Sequence, residues 1–256
     1  MLTFAKKFAM RCRIFIVISL FFVASCSQNN VTEDNSLKKY FDAAGVNGTF
    51  GLFDNGQGHF TIYNLPRFRD SAYLPAGTFD IIQSLIGVQT GVVKDDSALA
   101  TAGRENGFGQ LALRLGKDTL KKWIDSLGYG NKNISGPLDS FWLNNHLKVT
   151  SDEQLGLVKK LYFDQLPFFQ HTQLVVRRQM QNDNNTNYRL TYKTGHGIKE
   201  DGHAIAWIVG WVEENKHLYF FVLNLESADP GRDIREKELP VLKGILTQMG
   251  FFQGKK

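Results

Sequence analysis

The hydrophobic period changes twice along this chain, and the order of the changes leaves few folds open. Gly48 to Phe53 and Gly58 to Asn64 read as two strands joined at Asp54-Asn55-Gly56, a hairpin signal. From Thr78 to about Met180 the spacing is helical, with breaks at Gly103–Gly109 and Gly128–Pro137. From Tyr188 the period returns to two. Tyr188 to Thr194, His203 to Val212 and Leu218 to Leu225 are rich in β-branched and aromatic residues. A short helix over Ser36 to Ala44, stopped by Gly45, precedes the first strand, and an amphipathic helix over Arg232 to Gly250 closes the chain. Strands at both ends with helices between them predict an α+β fold: one antiparallel sheet of about five strands, flanked by terminal helices, with an all-helical insert. The sheet part would comprise residues 36–75 and 186–256, and the helical part residues 76–185. Inside the insert, Ser151-Asp152-Glu153-Gln154 reads as a helix cap with an acidic first turn.

Residues 1–25 read as an export signal. Lys6, Lys7, Arg11 and Arg13 form a basic start, and Ile14 to Phe22 is an apolar run too short to span a bilayer. Val23-Ala24-Ser25-Cys26 resembles a bacterial lipobox, in which the cysteine is lipidated and becomes the mature N-terminus. The expectation is an exported lipoprotein, anchored to the membrane through Cys26 and facing the periplasm. Residues 26–35 would be a polar tether and residues 36–256 the body. The leader holds four basic residues and no acid, so removing it lowers the formal charge from +5 to +1. That leaves no basic excess pointing to a nucleic-acid partner. The two cysteines are Cys12 and Cys26, so the body has no thiol for a disulfide, a nucleophile or a metal site. The 20 Phe and 4 Trp of the whole chain, of which 15 Phe and all 4 Trp lie in the body, point to a large apolar core. By strand alternation Trp207, Trp211, Phe220 and Phe221 belong to that core, not to a ligand cage.

Short motifs stand in order along the body. Val46-Asn47-Gly48-Thr49-Phe50 opens the first strand, and Pro75-Ala76-Gly77-Thr78-Phe79-Asp80 opens the helical block. Tyr129-Gly130-Asn131 follows, then Asn133-Ile134-Ser135-Gly136 and Phe141-Trp142-Leu143. Lys193-Thr194-Gly195 ends a strand, ahead of Ala206-Trp207 and Gly210-Trp211-Val212. From about Lys38 to Phe252 this series resembles the class D (oxacillinase-type) serine β-lactamases and the related sensor domains of penicillin-responsive receptors, within the penicillin-binding transpeptidase-like family. The resemblance implies a serine and a lysine as S-x-x-K on the first turn of a helix, on one face and with the hydroxyl at the positive end of the dipole. The serine attacks the lactam carbonyl, and the lysine, carbamylated in many members, is the base. A tryptophan in Phe-Trp-Leu holds the carbamate, a second serine in S-x-V relays protons, and Lys-Thr-Gly anchors the substrate carboxylate beside a backbone oxyanion hole.

In this chain the reactive positions are altered. Gly77 stands at the nucleophile position and Asp80 at the base position, while the relay region aligns with Gly103-Arg104-Glu105, placing Gly103 at the relay serine. Arg232 and Arg235 are candidates for the carboxylate-binding arginine. Tyr129, Asn131, Trp142, Lys193, Thr194, Gly195 and His196 are expected to line a surviving ligand cleft. Ser36-Leu37-Lys38-Lys39 is the one literal S-x-x-K and lies far from the other motifs, and Thr78 would point into the core. The expected function is a catalytically inactive relative, not an enzyme: a non-acylating binding or scaffold module in the cell envelope, needing no cofactor. Its partner would be a peptidoglycan-like or β-lactam ligand, or a protein. The alternative is a weak β-lactam-hydrolysing or penicillin-binding enzyme that uses non-standard residues. Asp80 and Glu105, with Lys193, His196 and His203 nearby, raise the idea of a cation site, but the spacing matches no metal-ligand pattern and no metal is expected. The simpler expectation is that Asp80 pairs with Lys193. A sensor role is disfavoured, because no spanning helix remains after the leader.

Overall fold

The computed structural model describes residues 30–94, 96–102, 107–229 and 233–256. The expected leader, Cys26, the first part of the tether, Gly103, Arg104, Glu105 and Arg232 lie outside the described residues. Residues 31–256 form one unit.

The chain runs through β1 (Val31–Glu33), α1 (Lys38–Ala44), β2 (Asn47–Asp54), β3 (His59–Tyr63), α2 (Leu65–Asp70) and β4 (Ala72–Tyr73). A 3-10 turn, Ala76–Phe79, then leads into the insert: α3 (Asp80–Gln89), α4 (Asp96–Ala102), α5 (Gly107–Leu115), α6 (Lys117–Leu127), β5 (Val149–Thr150), α7 (Ser151–Tyr162) and α8 (Gln170–Arg178). The chain returns through β6 (Gln181–Asn184), β7 (Tyr188–Ile198), β8 (Ala204–Glu214), β9 (His217–Ser227) and α9 (Arg235–Gln248). The main sheet has the order β1-β3-β2-β9-β8-β7-β6, so strands from the two ends of the chain meet at β2 and β9. The β4–β5 pair is a separate two-stranded sheet.

Local chemistry sets the boundaries. The Asp54 side chain accepts from the N–H of Gly56 and of Gln57, folding the hairpin between β2 and β3. Gly45 ends α1 in the left-handed region at φ 65°. The N-cap of α7 is Thr150, not Ser151. Its hydroxyl accepts from the N–H of Glu153, whose carboxylate accepts in turn from the N–H of Thr150. Glu153, rather than Gln154, therefore completes the capping box, and Gln154 is free to face the interior.

The five expected strands form the centre of the sheet, and two short strands extend its edges. Val31–Glu33 pairs parallel to β3, so the expected tether of residues 26–35 is too long at its C-terminal end. Gln181–Asn184 pairs with β7 inside the span assigned to the helical part. Both read as loop because an edge strand needs few apolar side chains: Gln-Asn-Asp-Asn has none. Strand alternation divides the core. Trp207, Val209 and Trp211 face the helical insert, while Ala206, Ile208 and Val212 pack with α1 and α9. Trp207, Trp211, Phe220 and Phe221 are all buried, as alternation predicts.

Candidate functional site

The site is built where the 3-10 turn meets β7. Gly195 lets the two backbones touch: a Cβ there would lie 2.7 Å from the Thr78 nitrogen and 2.9 Å from the Gly77 nitrogen. Ala76 enters the turn at φ 48°, a left-handed conformation costly for a residue with a Cβ, and its N–H donates to the Trp142 carbonyl at 3.2 Å. Phe79 pins the turn from beneath. Its ring stacks on Trp142 at 5.6 Å and meets Phe141 at 5.2 Å and Tyr129 at 5.9 Å. Thr78 points inward: it is fully buried, donates its hydroxyl proton to the Pro75 carbonyl and accepts from the Gln154 amide, both at 2.6 Å.

Above this support lies a cleft of about 540 Å³. Of the seven residues expected there, Trp142, Thr194, Gly195 and His196 line it, and Gly77, the altered nucleophile position, lines it too. So does Arg235, one of the two arginine candidates. Asp80 lies on its wall as well. Three expected members do not. Tyr129 is 4% exposed with its ring packed in the core, and burial raises its phenol. Asn131 holds a loop instead: its amide donates to the His146 carbonyl, and its side-chain oxygen accepts from Asn133 and Lys148 N–H groups. Lys193 turns away to Asp80, with Nζ to Oδ2 at 2.7 Å, and lines a second cavity of about 240 Å³. Asp80 and Phe108 border both cavities, so the ion pair forms part of the wall between them.

Motif spacing gave no signal for Phe108, Asp139, Ser140 or Glu238. Phe108 comes from the first turn of α5, and Asp139 and Ser140 from the turn before Phe141-Trp142, brought to the cleft by tertiary packing. Glu238, buried on α9, reaches His196 with Oε2 to Nε2 at 2.8 Å. A helical residue 42 positions along the chain carries no local mark of that contact.

The charges differ in how they are balanced. Burial raises the Asp80 carboxyl above its ordinary range, against the pull of Lys193. Burial likewise raises Glu238, against His196 and Arg235. His203 does not join the cleft. It sits with Asp201 and Glu226, three metal-ligand side chains with atoms within 4.8 Å of one another. Lys199 reaches Glu226 at 2.5 Å and Asp201 at 2.8 Å, and Arg67 reaches Glu226 at 2.7 Å. Two cations therefore already neutralise the carboxylates, and the cluster does not fit a metal ion without displacing them. Burial opposes ionisation of Glu226, but its bonds to Lys199, His203 and Arg67 outweigh it and hold the carboxyl at about 2.

Comparison with known proteins places this geometry. The penicillin binding protein transpeptidase domain family matches residues 104–247. Beta-lactamase OXA-19 of Pseudomonas aeruginosa is 30% identical over 93% of this chain and 96% of its own length. The regulatory protein BlaR1 of Bacillus licheniformis is 26% identical over 80% of this chain and 38% of its own length. Among solved structures, the class D β-lactamase FUS-1 (OXA-85) of Fusobacterium nucleatum matches with a TM-score of 0.78 at 27% identity, covering 88% of this chain and all of that one. By sequence and by fold together, the chain belongs to the class D β-lactamase group of the penicillin-binding transpeptidase-domain family.

Proposed function

We propose that this protein binds a small ligand in its cleft and does not acylate. The observation that carries the reading is the chemistry at the start of α3. Gly77, at the family's nucleophile position, offers no hydroxyl, and Asp80, at the base position, is tied to Lys193. The adjacent hydroxyl, Thr78, is buried and committed to Pro75 and Gln154. Acyl transfer needs a nucleophile with an activating base within hydrogen-bond reach. Meanwhile the turn, the aromatic support and the glycine contact with β7 are all kept, and the cleft has the volume of a small-molecule site. The proposal includes an exported, lipid-anchored protein facing the periplasm, read from residues 1–26.

Two assays test the chemistry. A fluorescent penicillin should leave the folded protein unlabelled on a denaturing gel, and nitrocefin hydrolysis should match buffer. Covalent labelling, or turnover that disappears in Asp80→Ala, would establish the alternative of a weak enzyme using other residues.

A further inference from the structure

The two walls of the cleft carry opposite charge. From the helical insert come two carboxylates, Asp80 and Asp139. From the sheet side and α9 come His196 and Arg235. Lys193, the cation the resemblance puts in the cleft, is drawn through the wall to Asp80 and is not among the lining residues. It binds one carboxylate oxygen, Oδ2, leaving Oδ1 with no side-chain partner among the described residues. Asp139 is exposed, and its contact is the Ser140 hydroxyl at 3.2 Å. On the other wall, Glu238 fixes His196 through Nε2. The Arg235 side chain has no ion-pair partner among the described residues, although its backbone N–H donates to Asp233.

We infer that the cleft takes a zwitterionic ligand, a small molecule with an ammonium and a carboxylate, its ammonium towards Asp80 and Asp139 and its carboxylate towards His196 and Arg235. This rests on the binding reading above and narrows it. Removing the side chain at residue 77 supports the placement. A Cβ there would touch Asp80 at 3.8 Å from Oδ2, the oxygen that Lys193 binds, so the glycine leaves that side of the carboxylate, which lines the cleft, uncovered. Asp80 and His196 already have Lys193 and Glu238, so a ligand with one charge leaves either Asp139 or Arg235 without a counter-charge among the described residues. Free amino acids and short peptides share this chemistry and differ in the separation of their two ends.

Titration calorimetry on the folded protein distinguishes these cases. The probes are alanine, dialanine and trialanine, then N-acetyl-dialanine and dialanine amide, each with one charge removed. At least one zwitterion should bind about tenfold more tightly than its acetylated and amidated forms, and the preferred length separates amino acid from peptide. Asp139→Asn should weaken the zwitterion several-fold and leave N-acetyl-dialanine unchanged. That residue is exposed, so loss of folding does not confuse the result, and Asp80→Asn should act in the same direction. Equal or tighter binding of N-acetyl-dialanine would overturn the inference. Reversible binding of benzylpenicillin with no zwitterion preference would overturn it while leaving the binding reading intact. Binding of no probe, benzylpenicillin included, would overturn both.

Discussion

Asp80 and Glu226 are both carboxylates held near the sheet by basic side chains, yet their surroundings push them in opposite directions. Glu226 is met by Lys199, His203 and Arg67, and its carboxyl stays at about 2. Asp80 has Lys193 alone, and burial wins, so its carboxyl rises. Glu226 is over-compensated and ties β9, the turn after β7 and α2 together. Asp80 is under-compensated and borders an open cleft. A charge whose neighbours fully balance it serves the scaffold, and one left partly unbalanced at a cavity is placed to meet something else. The same division runs along one turn of chain: Phe79 is scaffold, and Asp80 beside it is site.

Substitutions at these positions separate the two roles. The largest effect is expected at Phe79. Phe79→Ala removes the ring under the turn and should cost about 4 kcal/mol in urea unfolding; a loss below about 1 kcal/mol would mean the aromatic cluster does not hold the turn. Glu226→Gln leaves Arg67 and Lys199 without their shared carboxylate and should cost about 3 kcal/mol. The pH dependence gives the sign independently. The Glu226 carboxyl is depressed in the folded chain, so its stabilisation is full above about pH 4.5 and is lost as pH falls towards 2. That loss is on the order of 2 kcal/mol after screening, and Glu226→Gln should flatten this part of the curve. An unchanged acid limb would deny Glu226 its scaffold role.

Asp80→Asn should change stability at pH 7 by less than about 1 kcal/mol, because the charge it removes is already disfavoured by burial. A raised folded-state value means the folded chain binds that proton more tightly, so the wild type should gain on the variant as pH falls. The opposite slope would show that Lys193, not burial, governs Asp80. The smallest signal is expected from Gly77→Ser combined with Asp80→Lys. A Cβ at residue 77 would lie 3.1 Å from the Thr194 carbonyl oxygen, so β7 must yield by a few tenths of an ångström. Slow, partial penicillin labelling is expected; a folded but silent double variant would show that the cleft has lost more than these two side chains.

The central strands were legible because runs of β-branched and aromatic residues mark strands buried on both faces, and the closing helix because its apolar residues recur at helical spacing. The edge strands Val31–Glu33 and Gln181–Asn184 were not, since their backbone pairing needs no apolar side chains. Nor was α2, whose start depends on Asn64 at φ 59° accepting from the Arg67 N–H. At the site, Trp142, Thr194, Gly195 and His196 were found on the cleft wall, where their motifs pointed. Tyr129, Asn131 and Lys193 were not: a motif marks a residue as part of the frame but does not say which way its side chain turns. Tyr129 holds the frame from inside, Asn131 pins an exposed loop, and Lys193 turns to the carboxylate of Asp80. Glu238 and Asp139 carry no motif at all and are recruited by tertiary packing alone.

On the proposed reading the site keeps its frame and lacks acylating atoms. Intact-mass spectrometry of the folded wild-type protein after prolonged exposure to excess benzylpenicillin decides between that reading and acylation. An unchanged mass is expected. A mass increase equal to one penicillin, on any residue of the cleft, would contradict it.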